Sequence, residues 1–215
     1  MDKVEGIPAG TKRALLNCFQ WIPELDLVGI DRVEFLGTLS DLSFEPVWWA
    51  KRCKEKEEIW VNGVYCRKHE GKPAFICFFL KALYSPLWEV IRFRPMTTLY
   101  FSRFVGHEVG HHLIATRGFV FAPDEKYESD VYEEEMANRY AFQVVQRMKS
   151  KWYYRLADRV LKFFSKVHFE DGRQNWKKEK YAAAASSWYK AWLLDHDNEK
   201  ASELYWQAKL KSSQS

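Results

Sequence analysis

Several absences narrow this 215-residue chain before any motif is considered. No apolar run approaches the roughly 20 residues that a membrane-spanning helix needs, so a membrane partner is not expected. No continuous apolar stretch lies between Met1 and Lys12, so the N-terminus does not read as a secretory signal. Only four cysteines are present, Cys18, Cys53, Cys66 and Cys77, and none forms a C-x-x-C pair. A cysteine-held zinc site and a disulfide framework are therefore not indicated. The expectation is a cytoplasmic protein whose thiols are reduced and pack as small hydrophobes. Neither sign of charge dominates: 33 basic against 29 acidic residues leave +4, which permits an acidic partner without requiring one. What the chain does have is core material, 47% apolar and 17% aromatic, which excludes a disordered protein.

The pattern changes along the chain. Ala14 to Trp21 has helical spacing and Val33 to Leu39 reads as a short strand. Ile59-Trp60-Val61 and Val64-Tyr65-Cys66 flank Asn62-Gly63, the preferred two-residue hairpin turn. A second turn is expected at Glu70-Gly71-Lys72-Pro73, followed by a buried strand over Ala74 to Tyr84, so the middle of the chain predicts an antiparallel meander. Helix follows: from Pro95 to a stop at Gly118, then from an Asp130–Glu133 capping box through Met148. Beyond Lys151 the chain reads as helix, with breaks expected near Asp171-Gly172 and at Asp195 to Asn198. Strands followed by helices indicate an α+β domain over 1–150 and a helical extension over 151–215.

The chemistry-bearing motif is His107-Glu108-Val109-Gly110-His111, which falls inside a predicted helix. Residues four apart on a helix share a face, so both imidazoles can aim at one metal ion. Glu108 projects about 100° away, beside the metal rather than on it, where a general base belongs. Three of the six histidines fall within six residues. The third of them, His112, leaves the helix in a different direction from His111 and reads as a packed or capping side chain.

Two histidines leave a zinc site one protein ligand short. No H-x-x-G-x-x-H continuation follows, so the supply is Glu133-Glu134-Glu135 on the next helix. The apolar stripe of that helix runs through Ala137, Ala141, Val144 and Met148. Glu135 lies well off its midline, whereas Glu133 and Glu134 flank it almost equally. One turn beyond Glu134 stands Asn138, able to accept the free ring N–H of a ligand histidine; Glu133 has only Ala137 there. That favours Glu134 as the third ligand and Asn138 as its companion.

HEVGHHL followed by EEEMANRYAFQVV resembles the ImmA/IrrE metallopeptidases, whose signature is H-E-x-x-H and then E-x-x-A-N-x-F-A. The second block stands here as Glu134-Glu135-Met136-Ala137-Asn138-Arg139-Tyr140-Ala141, with Tyr for Phe. The resemblance spans about forty residues, Val105 to Val145. It implies a zincin-like fold with an active-site helix and a ligand helix, a glutamate as third ligand, and peptidase action inside cells on regulatory proteins. The Trp-rich N-terminal half and the lack of a recognisable helix-turn-helix depart from that family. Tyr181 to Trp192, ending in Asp195-His196-Asp197-Asn198, resembles the second helix of a tetratricopeptide repeat, with Gly172 in the first.

The expectation is a zinc-dependent peptidase acting on a protein or peptide substrate. His107, His111 and Glu134 hold Zn2+, Glu108 is the base, and the C-terminal helices are available to a protein partner. The alternative is a zinc-containing binding or regulatory module without catalysis, and the retained Glu108 argues against it. The charged runs Lys51 to Glu58 and Lys177 to Lys180 read as solvated faces, not as a nucleic-acid surface. Trp48, Trp49 and Trp60 read as core.

Overall fold

A computed structural model describes residues 11–37, 62–68, 73–80, 83, 94–117, 129–195 and 197–212. The chain divides into two compact units, Met1–Ser150 and Lys151–Ser215. Among the described residues the fold is mixed α+β, seven helices and three strands. No described helix is long and apolar enough to cross a membrane.

The first unit opens with helix α1 (Thr11–Cys18), a 3-10 turn at Phe19–Trp21 and the short α2 (Glu24–Leu27). Three strands follow: β1 (Ile30–Leu36), β2 (Gly63–Cys66) and β3 (Ala74–Phe79). They form one sheet in the order β1-β3-β2. All six residues of the central β3 are buried, so both faces of that strand are covered. Val64 and Cys66 on one face of β2 cluster with Phe75, Cys77 and Phe79 of β3. Cys18, Cys66 and Cys77 are buried free thiols, and burial pushes Cys66 up to about 12. Cys53 lies outside the described residues.

Four expectations need correction. The sheet is not an antiparallel meander: β2 pairs antiparallel with β3, but β1 pairs parallel with it. A parallel pair needs a long crossover, which the stretch between β1 and β3 supplies and which alternation of side chains cannot reveal. Asn62-Gly63 is not a tight turn with two left-handed residues. Gly63 is paired with Phe78 inside β2, and Gly29 is the described glycine with positive φ. The strand beginning at Ala74 ends at Phe79, well before Tyr84. The fourth correction, at Gly172, belongs to the second unit. Ile59 to Val61, the Glu70–Lys72 turn, Lys51 to Glu58 and the Trp48, Trp49 and Trp60 cluster lie outside the described residues.

Helix α3 (Arg94–Arg117) is the centre of the first unit. Every residue from Met96 to Gly106 is buried, so the helix has neighbours all round, as a helix without an amphipathic stripe must. Two of its buried hydroxyls are satisfied within the helix: Thr98 Oγ1 donates to Arg94 O at 2.9 Å and Ser102 Oγ to Leu99 O at 2.7 Å. Helix α4 (Ser129–Met148) is one-sided and starts one residue before the expected Asp130 cap. Its stripe is buried as spaced, Ala137, Ala141, Val144 and Met148, joined by Val145.

The second unit consists of α5 (Trp152–Lys177), α6 (Tyr181–Leu194) and α7 (Glu199–Ser212). The break expected at Asp171-Gly172 is absent, and α5 runs through it. Gly172 is there for space: a Cβ would stand 2.5 Å from both Cδ1 and Nε1 of Trp188 on α6. The indole is buried, and its Nε1–H donates to Phe169 O at 3.1 Å. Helix α5 ends instead at Lys178–Lys180, where Glu179 takes the left-handed conformation, φ 57°, that commonly closes a helix. The expected break after α6 is present between Asp195 and Asn198; His196 lies outside the described residues.

Candidate metal centre

The site is built where α3 and α4 touch. Gly106 and Gly110 on α3 face Ala141 and Ala137 on α4: a Cβ on Gly106 would lie 2.8 Å from Ala141 Cα, and one on Gly110 2.6 Å from Ala137 Cα. As one number rises its partner falls, so the helices run antiparallel with their backbones in contact. Beside this contact His107 meets Asn138, and His107 and His111 both meet Glu134. Small residues on both helices thus fix the approach, and the longer polar side chains beside them converge.

They converge closely. Nε2 of His107 and Nε2 of His111 are 3.1 Å apart. Each is 3.3 Å from a different carboxylate oxygen of Glu134. Among the described residues this is the one cluster of three His, Cys, Asp or Glu side chains able to hold a metal ion. Ligand atoms bound about 2.0–2.1 Å from a single zinc ion sit about 3.3–3.4 Å apart at tetrahedral angles. The spacing of the three side chains is therefore close to what a metal ion of that size requires.

The partners of the ligands are equally specific. His107 Nδ1–H donates to Asn138 Oδ1 at 2.9 Å, which leaves the Nε2 lone pair free for a metal. Burial disfavours the His107 cation, but hydrogen bonding to Glu134 and the charges of Glu108 and Glu134 outweigh it and raise its pKa. Burial also works against the Glu134 carboxylate, yet the two histidines hold its pKa well below the usual range. Glu134 is 59% exposed whereas His107 and His111 are mostly covered, so the cluster opens to solvent on the α4 side.

Glu108 stands apart from the triad. It is 6% exposed, and burial raises its pKa against the opposing pull of His107 and His111. The backbone of Tyr65 on β2 hydrogen-bonds its carboxylate. Glu133 turns away, and both its carboxylate oxygens accept from Arg67 Nη2, at 2.9 and 2.7 Å. Glu135 pairs with Arg139 on the outer face of α4. The structure thus brings together His107, His111, Glu134 and Asn138, with Glu108 alongside, and leaves the other two glutamates out.

His112 is a packed side chain with both nitrogens satisfied. The Tyr65 hydroxyl donates to Nδ1 at 3.1 Å and Nε2–H donates to Val28 O at 2.9 Å. Burial lowers its pKa, which keeps the ring neutral. Two residues escaped the sequence reading. Asp26 accepts from Tyr140 Oη at 2.6 Å and from Arg117 Nη1 at 2.8 Å, so it ties α2 to α3 and α4. The Tyr140 hydroxyl thus has a partner on α2. Gly63 is the other. The Gly106–Gly110 and Ala137–Ala141 spacings were visible signals of close helix approach, whereas Asp26 and Gly63 had none.

Comparison of the chain with protein families, with curated proteins and with solved structures finds no match in any of the three.

Proposed function

We propose that the protein is a zinc-dependent peptidase of the zincin type, akin to the ImmA/IrrE metallopeptidases. The observation that carries this reading is a His107–His111–Glu134 donor set beside a buried carboxylate, Glu108, that takes no part in it. A structural zinc site is closed by four protein ligands and has no need of an adjacent base. Here three donors converge on a solvent-facing side, and a base lies next to them.

Zinc held there supplies Lewis acidity, which polarises a scissile carbonyl and brings water towards ionisation near neutral pH. His107 and His111 offer Nε2 and Glu134 offers a carboxylate oxygen. Asn138 holds the His107 ring by its Nδ1–H and so fixes which nitrogen faces the metal. Glu108 accepts the proton of the attacking water and delivers it to the departing amine nitrogen.

On this reading the substrate is a protein or peptide in the cytoplasm, in keeping with the three buried free thiols. The tetratricopeptide-like second unit would engage a protein partner. The test is metal analysis of the purified chain together with cleavage of a library of internally quenched peptides. Stoichiometric zinc is expected, with cleavage that falls about a hundred- to ten-thousand-fold in Glu108→Gln while the metal is retained. A chain that takes up no zinc, or a Glu108→Gln variant that cleaves at the parent rate, sinks the proposal.

A further inference from the structure

The absence of a side chain at Gly63 is not explained by its backbone, which is an ordinary strand conformation paired with Phe78. It is explained by its surroundings. A Cβ there would lie 2.9 Å from Phe78 Cδ1 and 3.2 Å from Glu108 Cγ. Phe78 is fully buried and has nowhere to go. Two residues along the same strand, the Tyr65 backbone hydrogen-bonds the Glu108 carboxylate. One strand therefore contacts Glu108 twice, once by making room for its stem and once by holding its head.

The strand is itself anchored. Tyr65 Oη donates to His112 Nδ1 at 3.1 Å, and His112 Nε2–H donates to Val28 O at 2.9 Å. Val28 precedes Gly29, whose φ of 100° suits glycine and whose missing Cβ would stand 3.4 Å from His112 Cε1. His112 is one residue past His111 on α3, so this chain of contacts references β2 to the same helix that carries the metal donors. The motif's extra histidine, idle as a ligand, acquires a role.

We propose that Gly63 and Tyr65 are positioning residues that seat the Glu108 carboxylate beside the metal site, with His112 fixing the strand that carries them. This rests on the peptidase reading and adds a feature to it: the base is placed by the sheet as well as by its own helix.

The experiment needs no peptide substrate. The full chain is loaded with Co2+ and titrated with acetohydroxamic acid, followed by the visible absorption of the metal. The hydroxamate oxygens take the metal, and the N–OH proton passes to the Glu108 carboxylate, so affinity reads the placement of that group. Glu108→Gln is expected to weaken the hydroxamate about a hundred-fold. Gly63→Ala is expected to weaken it about ten-fold with unchanged Co2+ affinity. In the Glu108→Gln background Gly63→Ala should then have no further effect, whereas a purely structural role would leave the two losses additive. Tyr65→Phe, which removes only the hydroxyl, gives a smaller loss of the same kind and stands in if Gly63→Ala does not fold. If either positioning variant binds hydroxamate as the parent does, or the losses add, the seat is overturned while the peptidase reading stands. A parent chain that takes no Co2+, or whose Glu108→Gln variant binds hydroxamate unchanged, overturns both.

Discussion

In the first unit, α3 offers Gly106 and Gly110 to Ala141 and Ala137 of α4; in the second, α5 offers Gly172 to Trp188 of α6. Both pairs use a glycine to bring helices together, but the partners differ in size. Small against small lets two backbones meet, and the polar residues beside the contact, His107, His111, Glu134 and Asn138, reach across to one another. Small against large seats an indole, whose bulk fills the space where such side chains would have met. The first arrangement gathers side chains able to hold a metal ion, and the second makes a core.

The largest expected effect tests the second arrangement. Trp188→Ala empties the cavity that Gly172 shapes and deletes the hydrogen bond to Phe169 O. Removal of a buried tryptophan costs about 3–5 kcal/mol. Chemical denaturation should show that loss in the second unit while zinc affinity is unchanged. A parallel loss of zinc affinity would show that the two regions are not energetically separate.

Gly110→Ala tests the first arrangement. The new methyl meets backbone, Ala137 Cα at 2.6 Å and Ala137 O at 3.0 Å, so neither partner can rotate aside. Overpacking of this kind costs about 1–3 kcal/mol, offset by about 1 kcal/mol from the better helix propensity of alanine. The diagnostic effect is on the metal: α4 must move away and carry Glu134 with it. Zinc affinity should therefore fall even though no ligand has changed, as metal titration beside thermal unfolding would show. Gly172→Ala, which meets a side chain, should destabilise the second unit without touching the metal.

What was legible in the sequence follows the same division. His107, Glu108 and His111 could be placed on one helix, with the two histidines on a shared face, because local spacing alone carries that relation. The α4 stripe was legible for the same reason, since Ala137, Ala141, Val144 and Met148 repeat at helical intervals. Relations between distant segments were not legible. The parallel pairing of β1 with β3 depends on the path of the chain between them. Gly63 looked like a turn residue because Asn-Gly usually is one, and its true constraint comes from Glu108 and Phe78, 45 and 15 residues away in sequence. The break expected at Gly172 misled in the same manner, although the repeat-like pattern had put that glycine within a helix: glycine signals a break locally, but a tryptophan 16 residues on had claimed its missing side chain.

Asn138→Ala sharpens the comparison within α4. The amide touches no metal donor atom directly, but it holds His107 Nδ1–H at 2.9 Å. Without it the ring is free to rotate or to change tautomer, so a loss of about ten- to a hundred-fold in zinc affinity is expected. Glu134→Ala, which removes a donor, should lose zinc far more readily. An Asn138→Ala variant with parental affinity would mean that the helix contact alone orients His107.

The smallest effect is expected at Glu133, next in sequence to Glu134 and yet outside the cluster. Its carboxylate is engaged by Arg67 at 2.9 and 2.7 Å, in a pair whose side chains are 51% and 32% exposed. Exposed ion pairs contribute about 0–1 kcal/mol, because solvent screens them and two side chains must be ordered. Glu133→Ala should lower the melting temperature slightly and leave zinc affinity where it was. The contrast with Glu134→Ala turns on one step of helical rotation, about 100°, which aims one glutamate at the two histidines and its neighbour at an arginine. If titration shows that Glu133→Ala is the variant that releases zinc, the third ligand has been assigned one residue too far along α4, and the pairing of small residues between α3 and α4 does not set the register of the metal site.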